Sequence, residues 1–214
     1  MTCSPVSVGK SSRCFCRKPT GAARWSYNPG VESALRDSAF GGGVSYADGK
    51  VYMTDGVGDV AAQTRKVLQN MQSVLAESGS TMDDVVKVTV FVTNLERHFA
   101  DIHKVRAEFF KSDYPASTMV EVKSLVHEDM LIEIEAIAVI GGRKRHLNPD
   151  KLHQPTGFTN VVQAGDTVYI SGQVGVDSSG ALTSKGDPDG QLRQLYANLD
   201  AALGSVDGTR SSMV

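Results

Sequence analysis

The chain has 214 residues, 41% hydrophobic and 21% charged, with a formal net charge of -2. That is enough to bury a core in one sizeable domain or two small ones, and ordinary apolar content with little net charge excludes a wholly disordered chain. Its 21 Gly and 7 Pro show no period, which excludes a collagen-like class; no apolar run approaches the roughly 20 residues of a membrane span, and the charge balance predicts no nucleic-acid surface.

The balance hides an asymmetry. Residues 1–31 carry Lys10, Arg13, Arg17, Lys18 and Arg24 and no acid, a charge of +5 that leaves -7 on the remainder. Cys3, Cys14 and Cys16 all lie in this segment, so neither a disulfide framework nor a thiolate metal site is expected in the body. Residues 1–39 read as a basic extension: a mitochondrial transit segment and a plain disordered tail both fit an acid-poor, Ser-rich stretch without an apolar stripe. A secretory signal would need a long apolar run, and none is present.

From Val44 the elements sharpen. Asp48-Gly49 between Val44-Ser-Tyr46 and Val51-Tyr-Met-Thr54 predicts a hairpin. Asp59 is a candidate N-cap for a helix in which Val60, Thr64, Val67, Met71, Val74 and Leu75 recur at helical spacing, with Gly79 just past its end. A β-branched run, Val85 to Thr93, predicts a strand with Val86, Val88, Val90 and Val92 on one face. A second helix is expected over about 96–110, with Phe99, Ile102, Val105 and Phe109 inward, and then strands over about 117–123 and 130–140. In the last strand Ile132, Ile134, Ala136 and Ala138 share a face, and Glu133 and Glu135 point from the other. Adjacent carboxylates on one face repel unless solvated, paired or protonated. This leaves a solvated open face, or a subunit interface in which a carboxylate of perturbed pKa sits in a cleft suited to proton transfer.

The chain repeats itself. Val51-Tyr-Met-Thr-Asp-Gly-Val-Gly58 returns as Val168-Tyr-Ile-Ser-Gly-Gln-Val-Gly175. Gly58, Asp59, Gln63, Arg65, Asn70 and Leu75 return as Gly186, Asp187, Gln191, Arg193, Asn198 and Leu203. The second copy holds extra hairpin around Asp177-Ser-Ser-Gly180 and has no counterpart of 85–140. The expected organisation is therefore a near-complete unit over 40–140, a basic linker over 141–154, and a partial second unit over 155–214. Limited proteolysis separates a docked half-unit from a stray one.

Val168-Tyr-Ile-Ser-Gly-Gln173, Asp84-Val-Val-Lys-Val-Thr-Val-Phe-Val-Thr93, Pro115-Ala116 with Val120-Glu-Val122, and Ile132-Glu-Ile-Glu-Ala-Ile-Ala138 together resemble the RidA (YjgF) family of imine/enamine deaminases. The resemblance implies an α+β fold of order β-β-α-β-α-β-β, like the chorismate mutase fold, with one sheet face under two helices. It implies homotrimers with ligand clefts between subunits. The implied reaction is hydrolysis of reactive 2-imino or 2-enamino acids to 2-oxo acids and ammonia, without metal or cofactor, in the cytoplasm, or in mitochondria if the basic segment directs import.

The family's site transfers unevenly. The resemblance implies Glu133 as the carboxylate that holds the attacking water. Where the family has a carboxylate-binding arginine after Pro115-Ala116, this chain has Ser117, a neutral hydroxyl in place of a charged fork. Thr118 and Met119 follow it. His103 stands where the helix asparagine would face the cleft, and Phe158 where an aromatic lines the entrance. A non-catalytic ligand-binding or interaction trimer is therefore the alternative to a deaminase. Other signals are weak: no phosphate-binding glycine loop or H-E-x-x-H occurs, the histidines show no metal-ligand spacing, and Asp187-Pro-Asp-Gly190 reads as a turn rather than a calcium loop.

Overall fold

Apolar residues at helical spacing build α1 (Val60–Glu77), and a β-branched run builds the strand that follows it. The structure is a computed structural model. It describes residues 56–214 and, earlier in the chain, only the backbone of β1 (Val6–Ser7), β2 (Ser12–Arg13), β3 (Ala22–Arg24), β4 (Val44–Ala47) and β5 (Lys50–Met53). The three cysteines lie outside the described residues, as do Phe40, the first-copy counterpart of Phe158, and the Gly41–Gly43 run beside it. The predicted pairing is present: β4 and β5 run antiparallel, with Ala47 opposite Lys50, while Asp48 and Gly49 themselves lie outside the described residues.

The first unit runs β4, β5, α1, β6 (Val85–Val92), α2 (Leu95–Phe109), β7 (Ala116–Glu121), β8 (Ile132–Val139), an α+β order in agreement with the sequence reading. Asp59 caps α1 as expected, its carboxylate accepting the Ala62 N–H at 2.9 Å, and Gly79 takes the left-handed conformation beyond the last turn. α2 starts differently. Asn94 makes no side-chain cap, and the Glu121 carboxylate accepts the Leu95 N–H at 2.6 Å, placing a negative charge at the helix N-terminus.

The main sheet has the order β3-β8-β6-β7, with β6 and β7 parallel because α2 crosses between them. Both helices pack on one face, burying Leu68, Ile102, Val105, Val88, Val90, Val92, Ile132 and Ile134 in one core. Two expectations are corrected. The pairing of β6 with β8 slips between Val85 and Lys87. This bulge reverses the alternation, so Val85 faces the helices and Val86 faces away, beside Ala116, Val162 and Ala164. Phe99 is 51% exposed rather than inward; it stacks on His103, ring centroids 4.3 Å apart.

The stretch 141–154 holds β9 (Lys144–Leu147), which pairs with β10 (Val161–Ala164), and β10 pairs with β11 (Thr167–Ile170). α3 (Pro188–Gly204) follows, with Asp187 at its N-cap and Pro188 in its first turn. The Asp187-Pro-Asp-Gly190 stretch is therefore a helix start. The extra hairpin folds on Asp177, whose carboxylate accepts the N–H groups of Ser179 and Ala181.

Candidate functional site

The free edge of β7 is where the two units meet. An edge strand leaves a row of backbone donors and acceptors unpaired, and here the second unit satisfies them. Thr159 N–H donates to Pro115 O at 3.1 Å, and Gly172 N–H donates to Ser117 O at 3.0 Å. Ser117 N–H donates to Ser171 Oγ at 2.8 Å, and that hydroxyl donates on to Thr159 O at 2.6 Å. The approach is close at Gly172, where a Cβ would stand 3.1 Å from Thr118 Cγ2. Lys87 Nζ ties the same seam, donating to Thr118 Oγ1 at 2.8 Å and Ile170 O at 2.7 Å, and burial lowers its pKa to about 8.

Ser117 pairs with Val88, so its side chain shares the helix face of the sheet. There it meets α2. Arg106 is 2% exposed, and its guanidinium lies 3.4 Å from Ser117 Oγ. Burial lowers the Arg106 pKa to about 10. One turn earlier on α2, His103 lies against Gly157: a Cβ on that glycine would fall 3.0 Å from His103 Nδ1. Gly157 also has φ +81, a second reason for a residue without a side chain. Burial, then the nearby Arg106 charge, holds the His103 pKa below its usual value.

The candidate residues from the sequence thus fall into three places. Ser117 and His103 converge on the helix side of the seam, and half-buried Phe158 follows Gly157 at its rim. Thr118 points to the opposite face, held by Lys87, and Met119 packs into the helix core. Glu133 lies on the helix-free face opposite Phe91, with Glu135 opposite Thr89. Burial and then Glu135 raise the Glu133 pKa. Within one chain the sheet therefore separates Glu133 from Ser117. Among the described residues, no group of three or more His, Cys, Asp or Glu gathers as a metal site, and no helix is long and apolar enough to cross a membrane.

Arg106 was not singled out from the sequence. The signal was present, since Arg106 lies four residues after Ile102 and so continues the apolar stripe of α2. Ser171 and Gly172 were visible as part of the repeated strand motif, but nothing local shows that they cap β7.

Against known proteins, the family model of endoribonuclease L-PSP matches residues 22–140 and 150–214. The chain belongs to this family, the YjgF/RidA family. A RutC family protein of Pyrococcus abyssi is 44% identical over 81 residues, covering 38% of this chain and 62% of the relative. The mitochondrial protein mmf1 of Schizosaccharomyces pombe is 38% identical over 102 residues, 45% of this chain and 62% of the relative. The chain thus spans about three fifths of the length of these relatives. A crystal structure of a YjgF/YER057c/UK114 family member from Mycobacterium tuberculosis is 31% identical, covering 56% of this chain and 99% of that one, with a TM-score of 0.41.

Proposed function

We propose that the protein is a hydrolytic deaminase of reactive 2-imino and 2-enamino acids, releasing 2-oxo acids and ammonia. The observation that carries this reading is Glu133, a half-buried carboxyl whose pKa is raised by burial and by Glu135. A base of raised pKa accepts a proton more readily near neutrality. In this reading Glu133 takes a proton from water as the oxygen adds to the C=N carbon. It returns the proton to the nitrogen, giving a carbinolamine; transfer of the new hydroxyl's proton to that nitrogen then forms the C=O bond of the 2-oxo acid as the C–N bond breaks and ammonia leaves. Ser117, His103 and Phe158 form the substrate site, whereas Thr118, on the opposite face, and Met119, in the helix core, lie outside it. Because the sheet separates Glu133 from Ser117, the reading requires a homotrimer in which Glu133 of one copy faces the seam of the next. The exposed Val120 on the helix-free face suits such packing.

The test follows ammonia and 2-oxobutanoate from freshly generated 2-iminobutanoate. Glu133→Gln is expected to slow the reaction by about 10²- to 10⁴-fold; a wild-type rate no greater than background overturns the proposal. Ser117, in place of the family arginine, favours a second reading, a non-catalytic ligand-binding trimer. Ser117→Arg, made with Arg106→Met so that two guanidiniums do not meet, discriminates: an inactive wild type and an active variant support the second reading. The basic segment 1–31 fits a mitochondrial import signal, a reading supported by the name of the Schizosaccharomyces pombe relative. A fluorescent fusion of residues 1–39 that stays in the cytoplasm would instead support the cytoplasmic location.

A further inference from the structure

Arg106 is a buried cation without a counter-charge. Its guanidinium has five N–H donors in a planar fork, and the bond to Ser117 Oγ, at 3.4 Å, uses one of them weakly. No carboxylate of the described residues lies within ion-pair distance of it. His103, the neighbour one turn earlier, offers no compensation, because an imidazole is either neutral or cationic. The other ionisable group whose field reaches Arg106 is the Tyr114 phenol. Arginine does not shed its proton in proteins, and an unpaired buried charge is among the costliest arrangements a core can hold. A structure that keeps one at the junction of two units, beside a hydroxyl, is arranged to receive an anion.

We infer that Arg106, on the helix side of the seam between the repeat units, is an anion anchor whose ligand is a small organic carboxylate. The planar fork matches a planar carboxylate bidentately, whereas a phosphate dianion would bring two charges to one guanidinium. Ser117 Oγ, already in reach of Arg106, supplies a further donor to the same oxygen. The second unit closes on this point, with Gly157 against His103 and the Ser171 hydroxyl on the Ser117 N–H. The inference deepens the deaminase reading and rests on it only for the substrate: a 2-imino acid carries the carboxylate that Arg106 would hold.

The experiment is a titration of the full chain with 2-oxobutanoate, watching the Arg106 Nε–Hε resonance in nitrogen-15 spectra, with 2-oxobutanamide as the uncharged control. The expected result is a saturable shift of that resonance by the acid and none by the amide. Arg106→Met should weaken binding by about 10- to 150-fold, and adding Ser117→Arg to that variant should restore at least part of the loss. An unmoved Arg106 resonance at millimolar acid, or unchanged affinity in Arg106→Met, overturns the inference and makes Arg106 a structural residue. If the variant fails to fold, the wild-type titration decides alone, since it needs no substitution. Carboxylate binding at Arg106 without deamination leaves the anchor and removes the deaminase. Deamination with an unresponsive Arg106 does the reverse.

Discussion

The two copies of the strand–strand–helix motif share residues and differ in what surrounds them. In α1 the stripe Val60, Thr64, Val67, Leu68, Met71 and Leu75 is buried. In α3 the same repeat positions leave Leu192 and Tyr196 exposed, and the buried residues are Asn198, Ala202 and Leu203. Leu68 is 0% exposed, while its counterpart Tyr196 is 43% exposed. Gln63 shows the cause most directly. Its amide donates to Gly56 O and Asp129 O, and its carbonyl accepts the Leu131 N–H, all at 2.8–2.9 Å. Two of those three partners belong to the 85–140 stretch, which has no counterpart in the second copy. The repeated Gln191 reaches only Ser184 O at 3.3 Å. A helix sequence sets which face is apolar; whether that face is buried depends on elements encoded far away.

The largest expected contrast is between Leu68→Ala and Tyr196→Ala. The first opens a cavity in the helix core and should cost about 2–5 kcal/mol. The second removes an exposed ring and its contact with the Arg210 guanidinium, 5.3 Å from the ring centroid, and should cost less than about 1 kcal/mol. Chemical denaturation with matched slopes measures both, and equal costs would break the comparison. Next comes Gln63→Ala against Gln191→Ala. Losing Gln63 strands the half-buried Leu131 N–H, for about 1–3 kcal/mol. Losing Gln191 should stay within about 0.5 kcal/mol.

How much the sequence revealed follows the same division. The pairing of β4 with β5, the Asp59 cap, the Gly79 terminator and the alternation of Ile132 with Glu133 follow local signals, and each is found where residue chemistry puts it. The misplaced face of Val86 depends on a one-residue slip against β8, a pairing partner more than 40 positions away. Phe99 follows the apolar period, yet its ring is taken by His103 rather than by the core. The site was legible in part. Ser117 stood out because a motif put another residue there, but Arg106 becomes conspicuous only when α2 is laid on β7. The separation of Glu133 from Ser117 is a matter of sheet faces, and a one-residue register change decides it.

A smaller effect is expected where the units are joined by charge. Lys144 Nζ, on β9, lies 2.7 Å from Asp84 Oδ1, just before β6. Burial works against the Asp84 carboxylate, but Lys144, the Thr81 N–H and the Ser80 hydroxyl outweigh it and hold its pKa below the usual 3.8. Lys144→Met should cost about 1 kcal/mol near neutrality, and this difference should fade as the pH falls through the Asp84 titration, because the protonated acid no longer rewards the lysine. Limited proteolysis sharpens the point. The backbone bonds at β7 should keep 155–203 protected in the wild type, with faster cleavage in the variant. Prompt release of that segment from the wild type would contradict a docked second unit.

The smallest effect, and the one that bears on chemistry, concerns Glu133. Its folded-state pKa is above the ordinary 4.5, first through burial and then through Glu135. A carboxyl raised on folding binds its proton more tightly in the native state, so its contribution is fully present below the unfolded pKa. That contribution is lost as the pH rises through the folded value. The wild type should therefore lose stability relative to Glu133→Gln as the pH climbs from 4.5, and the gap should level off once both states are ionised. Glu135→Gln should narrow the window by removing the repulsion while leaving the burial. Denaturation midpoints of the three proteins across this range measure it. Parallel profiles for wild type and Glu133→Gln would mean that Glu133 titrates like a solvated surface acid, and the helix-free face would then be an open one. Residues 155–214 cannot supply this control, because among the described residues they hold no strand equivalent to β8 and hence no repeated carboxylate pair; the contrast is drawn within the first unit.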